Sequence, residues 1–147
     1  MKLLIINGPN LNLLGSREKN IYGTQTFEDF YDALKQKYNQ LLIDYVQSNI
    51  EGEIINYIQN SEKGYEGIIL NAGGYSHTSV AIGDAVAAIN TPVVEVHISN
   101  ILAREEFRHI SFISRYAKGV ITGFGLIGYE LAVQYFLLNF ESNKNKF

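Results

Sequence analysis

The sequence predicts an α/β fold in which helices cover both faces of one parallel sheet. Short apolar runs alternate about five times with longer segments of helical period along the chain. The short runs have the length and composition of strands that are buried on both faces. Because crossovers between parallel strands are right-handed, few topologies fit this order. The 147 residues are expected to form one domain spanning positions 1–147.

Five apolar runs are predicted as the strands of this sheet. Pro92 precedes the fourth run, whereas neither Gly nor Pro marks the start of the second. The predicted strands are Lys2–Asn7, Leu42–Gln47, Gly67–Asn71, Val93–Ile98 and Gly119–Gly123.

Helical spacing of apolar residues predicts the helices between these strands. Thr26 with Asp29 is expected to cap the first helix, and Ser48 with Asn49 the second. The third helix is predicted over Ser76–Ile89. The apolar stripe of the first helix consists of Phe27, Phe30, Tyr31, Leu34, Tyr38 and Leu41. The stripe of the second consists of Ile54, Ile55 and Ile58.

The predicted final helix is apolar over an unusually wide surface. Its main stripe consists of Tyr129, Val133, Phe136, Leu137 and Phe140. Leu131, Tyr135 and Leu138 lie off that stripe. Either another subunit covers this second side, or the helix is buried on all sides in the hydrophobic core of its own subunit. A polar tail follows at about positions 142–147.

The composition narrows the possible partners. The net charge is −3, so the chain lacks the excess of positive charge that is typical of nucleic-acid-binding proteins. It has no cysteine, which excludes disulfides, thiolate metal sites and cysteine nucleophiles. The apolar start is too short for a signal peptide, and no run approaches the roughly 20 residues of a membrane helix. We expect a cytoplasmic protein that does not associate with membranes.

Residues 8–25 separate the first strand from the first helix without helical or strand periodicity. Unstructured connections of this length are usually functional or disordered. Gly15 and Gly23 could act as hinges of a lid at about positions 14–24. A loop without function is the alternative.

Polar side chains follow three of the predicted strands, where ligands bind in open α/β sheets. Asn7, Asn71 and His97 each lie at or next to a strand end. Either asparagine alone could be a turn residue, and His97 alone could be a packed histidine. Strand alternation places Glu95 on the same face as His97, so Glu95 could orient the imidazole of a proton donor.

Two further pairs have a spacing that places them on one face of a helix. His77 and Asp84 are seven residues apart, and their face could be exposed to solvent or to another subunit. Arg104 and Arg108 are four apart, which also fits a salt-bridged surface helix.

Tyr22 lies five residues after Arg17 within the predicted lid. A free phenol has a pKa of about 10, and bringing it near 7 requires about 4 kcal/mol of preference for the phenolate. A cation at about 4 Å supplies only about 1 kcal/mol in water but about 4 kcal/mol at an effective dielectric near 20. A closed lid that expels water could therefore make Tyr22 a base.

Four motifs together resemble the type II dehydroquinase family (type II 3-dehydroquinate dehydratases). They are Ile6–Gly15 with Arg17 and Tyr22-Gly23, Asn71–Ile82 with Asp84, Glu95–Asn100 through Arg104–Arg108, and Gly119–Gly125 with Gly128-Tyr129. The match covers nearly the whole chain in the family's order and spacing. The resemblance implies a flavodoxin-like three-layer sandwich with a five-stranded parallel sheet. It also implies a cofactor-free lyase of the shikimate pathway that dehydrates 3-dehydroquinate to 3-dehydroshikimate by anti elimination.

The resemblance also implies a role for each motif residue. Tyr22 would remove the proton beside the ketone, and Arg17 would favour its phenolate. Asn10 would stabilise the enolate through a held water, and His97 would protonate the departing hydroxyl. The groups implied in substrate binding are the side chains of Asn71, His77 and Arg108, the backbone amides of Ile98 and Ser99, and Asp84 of a neighbouring subunit. Arg104 and Glu95 would support the site.

The family assembles as a homododecamer, a tetramer of trimers, which would explain the wide apolar surface of the final helix. Gly83 and the Gly73-Gly74-Tyr75 stretch depart from residues that relatives often carry. Gly83 within a helix would cost up to about 1 kcal/mol relative to Ala. This departure bears on contacts between subunits rather than on the chemistry.

Three other classes of protein fit the sequence less well. The strongest of them is a non-catalytic flavodoxin-like module for a flavin, a nucleotide or a phosphorylation signal. The chain has no acidic cluster after the first strand for a phosphorylation signal and no Walker-type loop for a nucleotide, but Ser76–Ser79 could bind a flavin phosphate at a helix start. A metal hydrolase would need metal-site spacing, which His77, His97 and His109 lack. A serine hydrolase would need a G-x-S-x-G elbow, which Ser76 and Ser79 do not form.

Overall fold

A computed structural model describes residues 1–15 and 24–144. Its five strands form one parallel sheet in the order β2-β1-β3-β4-β5. The strands are β1 (Lys2–Asn7), β2 (Leu42–Gln47), β3 (Gly67–Asn71), β4 (Val93–His97) and β5 (Gly119–Thr122). The predicted parallel α/β sheet is confirmed: three predicted strands agree in both bounds, and the other two end one residue earlier than predicted.

Four α-helices of the described chain cover the two faces of the sheet. They are α1 (Phe27–Lys37), α2 (Glu51–Asn60), α3 (Val80–Ala87) and α4 (Ile127–Lys144). Short 3-10 turns lie at Leu11–Leu13, Ser61–Lys63, Gly73–His77, Ile101–Ala103 and Glu106–Arg108. None of the described helices has the length and apolar character that crossing a membrane requires.

Alternating side chains of β1 build the two halves of the core. Leu3 and Ile5 pack against the side of α1 and α4, whereas Leu4 and Ile6 pack against the side of α2 and α3. Because the strand is central and both its faces are covered, all four side chains are at most 4% exposed. This explains why the run is apolar throughout rather than alternating with polar residues.

The order of the strands in the sheet reverses at β1, because β2 and β3 lie on opposite sides of it. From β1 the chain moves outward to β2 and then returns to β3 on the other side of β1. Asn7 and Asn71 are paired in register at the carboxyl ends of these neighbouring strands. Such a reversal leaves a crevice beyond the strand ends, which is the usual ligand site of open α/β sheets.

Two predicted helix starts differ from the structure. The Thr26 cap is confirmed, since its hydroxyl accepts from the N–H of Asp29 at 3.1 Å. The Ser48 and Asn49 cap is wrong: Ile50 occupies the N-cap position, and the Ser48 hydroxyl instead accepts from the N–H of Ile50 at 2.9 Å.

The predicted helix Ser76–Ile89 is also too long. Ser79 accepts from the N–H of Ile82 at 2.9 Å and starts α3 at Val80. The residues before that cap form the 3-10 turn Gly73–His77 instead.

The exposure of side chains on α4 decides between the two explanations for its wide apolar surface. Tyr129 and Val133 are completely buried, but Leu131 is 37% and Leu138 64% exposed in the single chain. Burial of the whole surface in its own core is therefore wrong. The helix also continues to Lys144, into the predicted polar tail.

Candidate active site

A crevice of about 400 Å³ opens beyond the carboxyl ends of β1, β3 and β4. Its lining combines the 9–14 turn after β1, the 3-10 turn after β3 and the loop after β4. The polar lining residues are Asn10, Asn71, His77, His97, Ser99, Arg104 and Arg108. Apolar walls are formed mainly by Leu11, Leu13, Leu14, Ile98 and Ile101. The size and mixed lining suit a small polar molecule.

The side chain of Asn71 is held at both of its polar atoms. Its Oδ1 accepts from the N–H of Gly73 at 3.1 Å, and its Nδ2 donates to the hydroxyl of Tyr129 at 2.8 Å. That hydroxyl in turn donates to Oδ1 of Asn7 at 2.8 Å. An amide carries two N–H groups, so the second N–H of Asn71 is left for a ligand in the crevice.

His97 ends β4 and forms a hydrogen bond with Glu95 behind it. The distance from Nε2 of His97 to Oε1 of Glu95 is 2.7 Å, as expected from their common strand face. Because the carboxylate occupies Nε2, Nδ1 is the ring nitrogen that can exchange a proton with a bound molecule.

Glu95 is completely buried and is nevertheless held as a carboxylate. Burial alone would raise its pKa, but hydrogen bonds from His97, Ser111 and Ser114 outweigh burial and hold the pKa below its ordinary value. The two serine hydroxyls donate to Oε1 at 2.6 Å and to Oε2 at 2.5 Å, respectively. The fixed carboxylate behind His97 holds the imidazole through Nε2, as a residue that orients a proton donor would do.

His77 lies beside His97, with the two ring centroids 5.7 Å apart in a stacked arrangement. Partial burial lowers the pKa of His77, with smaller contributions from the nearby His97 and Arg108. Nδ1 donates to the carbonyl of Ile110 at 2.7 Å, so the neutral ring carries its proton there. Nε2 is then an acceptor for a ligand hydroxyl.

Two arginines bring positive charge to the crevice. Nε of Arg108 lies 2.8 Å and Nε of Arg104 lies 3.5 Å from Oε2 of Glu105. Arg104 also donates to the hydroxyl of Ser99 at 3.3 Å. Both arginines line the crevice, so they bring guanidinium groups to a site where an anionic ligand could bind.

The backbone after β4 offers a second feature suited to an anion. Within the described part of the chain, the N–H groups of Ile98 and Ser99 donate to no other protein group. The two amides are consecutive and their residues line the crevice. Consecutive free amides can bind a carboxylate without ordering a long side chain.

Asn10 lies at the opposite wall in a left-handed conformation, with φ of 69°. Its backbone N–H donates to Oδ1 of Asn49 at 3.0 Å. Asparagine tolerates this conformation better than most residues. The contact positions Asn10 at the rim of the crevice, where its own side chain is exposed.

The structure brings together most of the residues predicted for the site. Asn10, Asn71, His77, His97, Ile98, Ser99, Arg104 and Arg108 line one crevice, and Glu95 lies directly behind it. Asp84 is exposed on α3 and does not line the crevice of its own chain. Arg17, Tyr22 and the predicted lid lie outside the described residues, apart from the lid's ends.

Two predicted helical pairings are wrong. His77 belongs to a 3-10 turn and Asp84 to α3, because the Ser79 cap separates them. Arg104 and Arg108 do not share a surface helix either, since the backbone is extended at Arg104 and at Glu105. The arginines nevertheless converge, because the loop folds back over the crevice.

Sequence reasoning missed Ser111, Ser114 and the hydroxyl of Tyr129. The two serines are three residues apart, a spacing that could have indicated two hydroxyls directed at one point. Their partner Glu95 lies 16 and 19 residues away, which the spacing alone does not indicate. Among the described residues, no group of three or more His, Asp or Glu side chains could hold a metal ion.

The chain resembles known proteins over nearly its whole length. The family model described as "Dehydroquinase class II" matches residues 1–137. A 3-dehydroquinate dehydratase of Fusobacterium nucleatum is 55% identical over 142 residues, which are 93% of this chain and 97% of the relative. A 3-dehydroquinate dehydratase of Bacillus licheniformis is 52% identical over 137 residues, or 92% and 94% of the two chains.

Solved structures give the same result for the fold. A type II dehydroquinase from Butyrivibrio crossotus has a TM-score of 0.89 at 46% identity, covering 92% of this chain and 97% of that one. A type II dehydroquinase from Propionibacterium acnes has a TM-score of 0.87 at 40% identity, with coverages of 91% and 94%. The predicted flavodoxin-like α/β architecture is therefore confirmed.

Proposed function

The chain belongs to the class II dehydroquinase family, and from that membership we propose that it converts 3-dehydroquinate to 3-dehydroshikimate and water. This lyase reaction is a step of the shikimate pathway of aromatic amino acid biosynthesis. One observation carries the proposal: the buried Glu95–His97 pair adjoins a crevice that offers sites for both a carboxylate and hydroxyls. The proposed chemistry needs only acid–base groups and uses no cofactor.

The substrate is a carboxylate with several hydroxyls and a ketone, and the crevice residues match these groups. We assign its carboxylate to the backbone amides of Ile98 and Ser99. We assign its hydroxyls to the amide N–H of Asn71, the acceptor nitrogen of His77 and the guanidinium of Arg108. Hydrogen bonds to fixed partners of this kind orient the reacting carbons relative to the acid and the base.

The first proposed step is removal of a proton from the carbon beside the ketone by Tyr22. Arg17 stabilises the phenolate of Tyr22 once the lid excludes water. The product of this step is an enolate, which Asn10 stabilises through a held water. Both lid residues lie outside the described residues, so their assignment rests on the family's sequence pattern.

The second proposed step is loss of the hydroxyl with a proton from His97. The proton moves from Nδ1 of His97 to the departing oxygen, the carbon–oxygen bond breaks, and the enolate electrons form the conjugated double bond. Glu95 stabilises the imidazolium before the transfer. An anti elimination, as the family's pattern implies, requires the base Tyr22 and the acid His97 to act on opposite faces of the substrate ring. Arg104 supports the site through Ser99.

The remaining proposals concern assembly and location. We propose that Asp84, exposed on α3, reaches the crevice of a neighbouring subunit. Twelve subunits arranged as a tetramer of trimers would provide that neighbour and cover Leu131 and Leu138 on α4. A cytoplasmic location fits an enzyme of intermediary metabolism.

The decisive experiment mixes the purified protein with 3-dehydroquinate and follows the ultraviolet absorbance of the conjugated enone product. Absorbance should rise with the wild type and be almost lost with Tyr22→Phe or Arg17→Ala. Tyr57→Phe removes a phenolic hydroxyl from α2 and should keep the wild-type rate. Unchanged 3-dehydroquinate with the folded wild type would exclude the proposed function. A near-normal rate with Tyr22→Phe would exclude only the assignment of the base.

A further inference from the structure

We propose that the segment from Ile110 to Ser114 is a positioning element that fixes both imidazoles of the crevice. Ser111 and Ser114 hold Glu95 and thereby His97, while the carbonyl of Ile110 holds His77. The proposal rests on the proposed function, because it gives these contacts a role in the dehydration. Among the residues that line the crevice, neither serine appears, so both act through other side chains.

The first contact of the 110–114 segment fixes the carboxylate of Glu95. Oε1 receives hydrogen bonds from His97 at 2.7 Å and Ser111 at 2.6 Å, and Oε2 receives one from Ser114 at 2.5 Å. With donors on both oxygens, the carboxylate cannot rotate without losing a bond. The imidazole of His97 is therefore held in one orientation.

The hydroxyl of Ser111 is itself oriented by the backbone of the same segment. Its Oγ accepts from the N–H of Ile113 at 3.1 Å and from the N–H of Ser114 at 3.4 Å. Because the lone pairs of Oγ are occupied by these donors, its proton points to Glu95. The serine thus forms part of a compact turn rather than a freely rotating hydroxyl.

The second contact of the segment fixes the proton of His77. Nδ1 donates to the carbonyl of Ile110 at 2.7 Å, which selects the tautomer with a free acceptor at Nε2. Rotation of the His77 ring would break this bond and the stacking against His97. One short segment therefore determines the state of both rings.

The segment is anchored firmly enough to serve this purpose. The N–H of Phe112 donates to the carbonyl of Ser76 at 2.9 Å, and Ile113 is completely buried in the core. The carbonyl of Phe112 packs against α3 at Gly83, where a Cβ would lie 2.6 Å from its oxygen. The absence of a side chain at Gly83 thus permits the close approach of this segment to α3.

The test compares Ser111→Ala, Ser114→Ala and the double variant with wild type, using steady-state turnover of 3-dehydroquinate. The double variant should lose about tenfold or more in kcat, similar to the loss of an outer-shell partner of a metal-bound imidazole. KM should change less than twofold, because neither hydroxyl lines the crevice. Ser114→Thr, which keeps the hydroxyl, should recover most of the activity lost in Ser114→Ala.

Nitrogen-15 NMR of histidine-labelled protein supplies a readout that does not depend on activity. The chain has three histidines, and His77→Gln and His97→Gln variants assign the signals of the two rings. The ring nitrogen shifts of His97 should move in the double variant. They should stay unchanged in Ser61→Ala, which loses a buried hydroxyl bond to Ile58 away from the crevice.

Each outcome has a distinct meaning. A folded double variant with wild-type kcat and unchanged His97 shifts would overturn the positioning role. If the double variant does not fold, the same comparison applies to each single variant. If the wild type leaves 3-dehydroquinate unchanged but the His97 shifts respond to the serine variants, the proposed function fails and the positioning contact stands.

Discussion

The hydroxyl of Tyr129, on the last helix, accepts a hydrogen bond of 2.8 Å from the side-chain amide of Asn71 at the end of β3. Tyr129→Phe removes this hydroxyl and leaves the amides of Asn71 and Asn7 without it. We expect a loss of about 1–3 kcal/mol in the free energy of unfolding, together with a severalfold rise in KM. Urea unfolding and steady-state kinetics measure the two effects.

Tyr38→Phe is the matched control for that prediction. Its hydroxyl donates to Glu130 of α4 at 2.9 Å, and neither residue lines the crevice. This variant should lose some stability and keep the wild-type KM. An equal rise in KM for both variants would show that Tyr129 acts through general stability rather than through Asn71.

His97→Ala should separate the two halves of the proposed reaction. Loss of a general acid costs about 10² to 10⁴ in rate, so formation of 3-dehydroshikimate should fall by that factor. Proton removal by the base does not need His97, so exchange of the substrate's acidic proton in heavy water should continue. Equal loss of exchange and elimination would contradict the assignment of His97 as the acid.

Glu95→Gln should change how stability depends on pH. Because the pKa of Glu95 is lowered in the folded state, the unfolded state binds more protons around the ordinary glutamate pKa of 4.5. The stabilisation is therefore present above that pH and is lost as the pH falls through the folded pKa. The difference in free energy of unfolding between wild type and Glu95→Gln should shrink from pH 6 towards pH 3.

Urea titrations across this pH range measure the difference directly. A constant difference between wild type and Glu95→Gln over this range would mean that the carboxylate gains nothing from its three donors in the folded state.

Two glycines in helices should respond in opposite directions to alanine. A Cβ at Gly83 would lie 2.6 Å from the carbonyl oxygen of Phe112, so Gly83→Ala should cost about 1–3 kcal/mol through overpacking. A Cβ at Gly52 on α2 would meet no atom within 4 Å beyond its own helix backbone and chain neighbours. Gly52→Ala should therefore raise the free energy of unfolding by up to about 1 kcal/mol. Thermal or urea unfolding distinguishes these signs, and stabilisation by both variants would contradict the close contact.

The central strands were predictable because they are buried on both faces. In Lys2–Asn7 and Gly67–Asn71 the interior positions are apolar and the last residue is an asparagine, so the pattern marks where each strand ends. The third helix was misjudged because the Ser79 cap competes with the preceding residues for the helix start. The cap of α2 was misjudged because two polar residues precede its true N-cap, Ile50.

Contacts of the site within one short motif could be predicted from the sequence. Contacts between segments far apart in the sequence could not. Glu95 and His97 are two residues apart on one strand, so their contact follows from alternation. The contact of Ser114 with Glu95 depends on how the loop between β4 and β5 folds back, which has no periodicity. The separation of His77 from the helix of Asp84 likewise depends on a local capping bond.

The hydrogen bond between Asn7 and Tyr129 joins residues 122 positions apart, almost the full length of the chain. A polypeptide without the C-terminal helix lacks the tyrosine that orients Asn7 and Asn71 at the ends of β1 and β3. Ligand affinity should therefore return late in refolding, after the strands have assembled and when the C-terminal helix docks. Partly folded molecules would then neither sequester the substrate nor act on it.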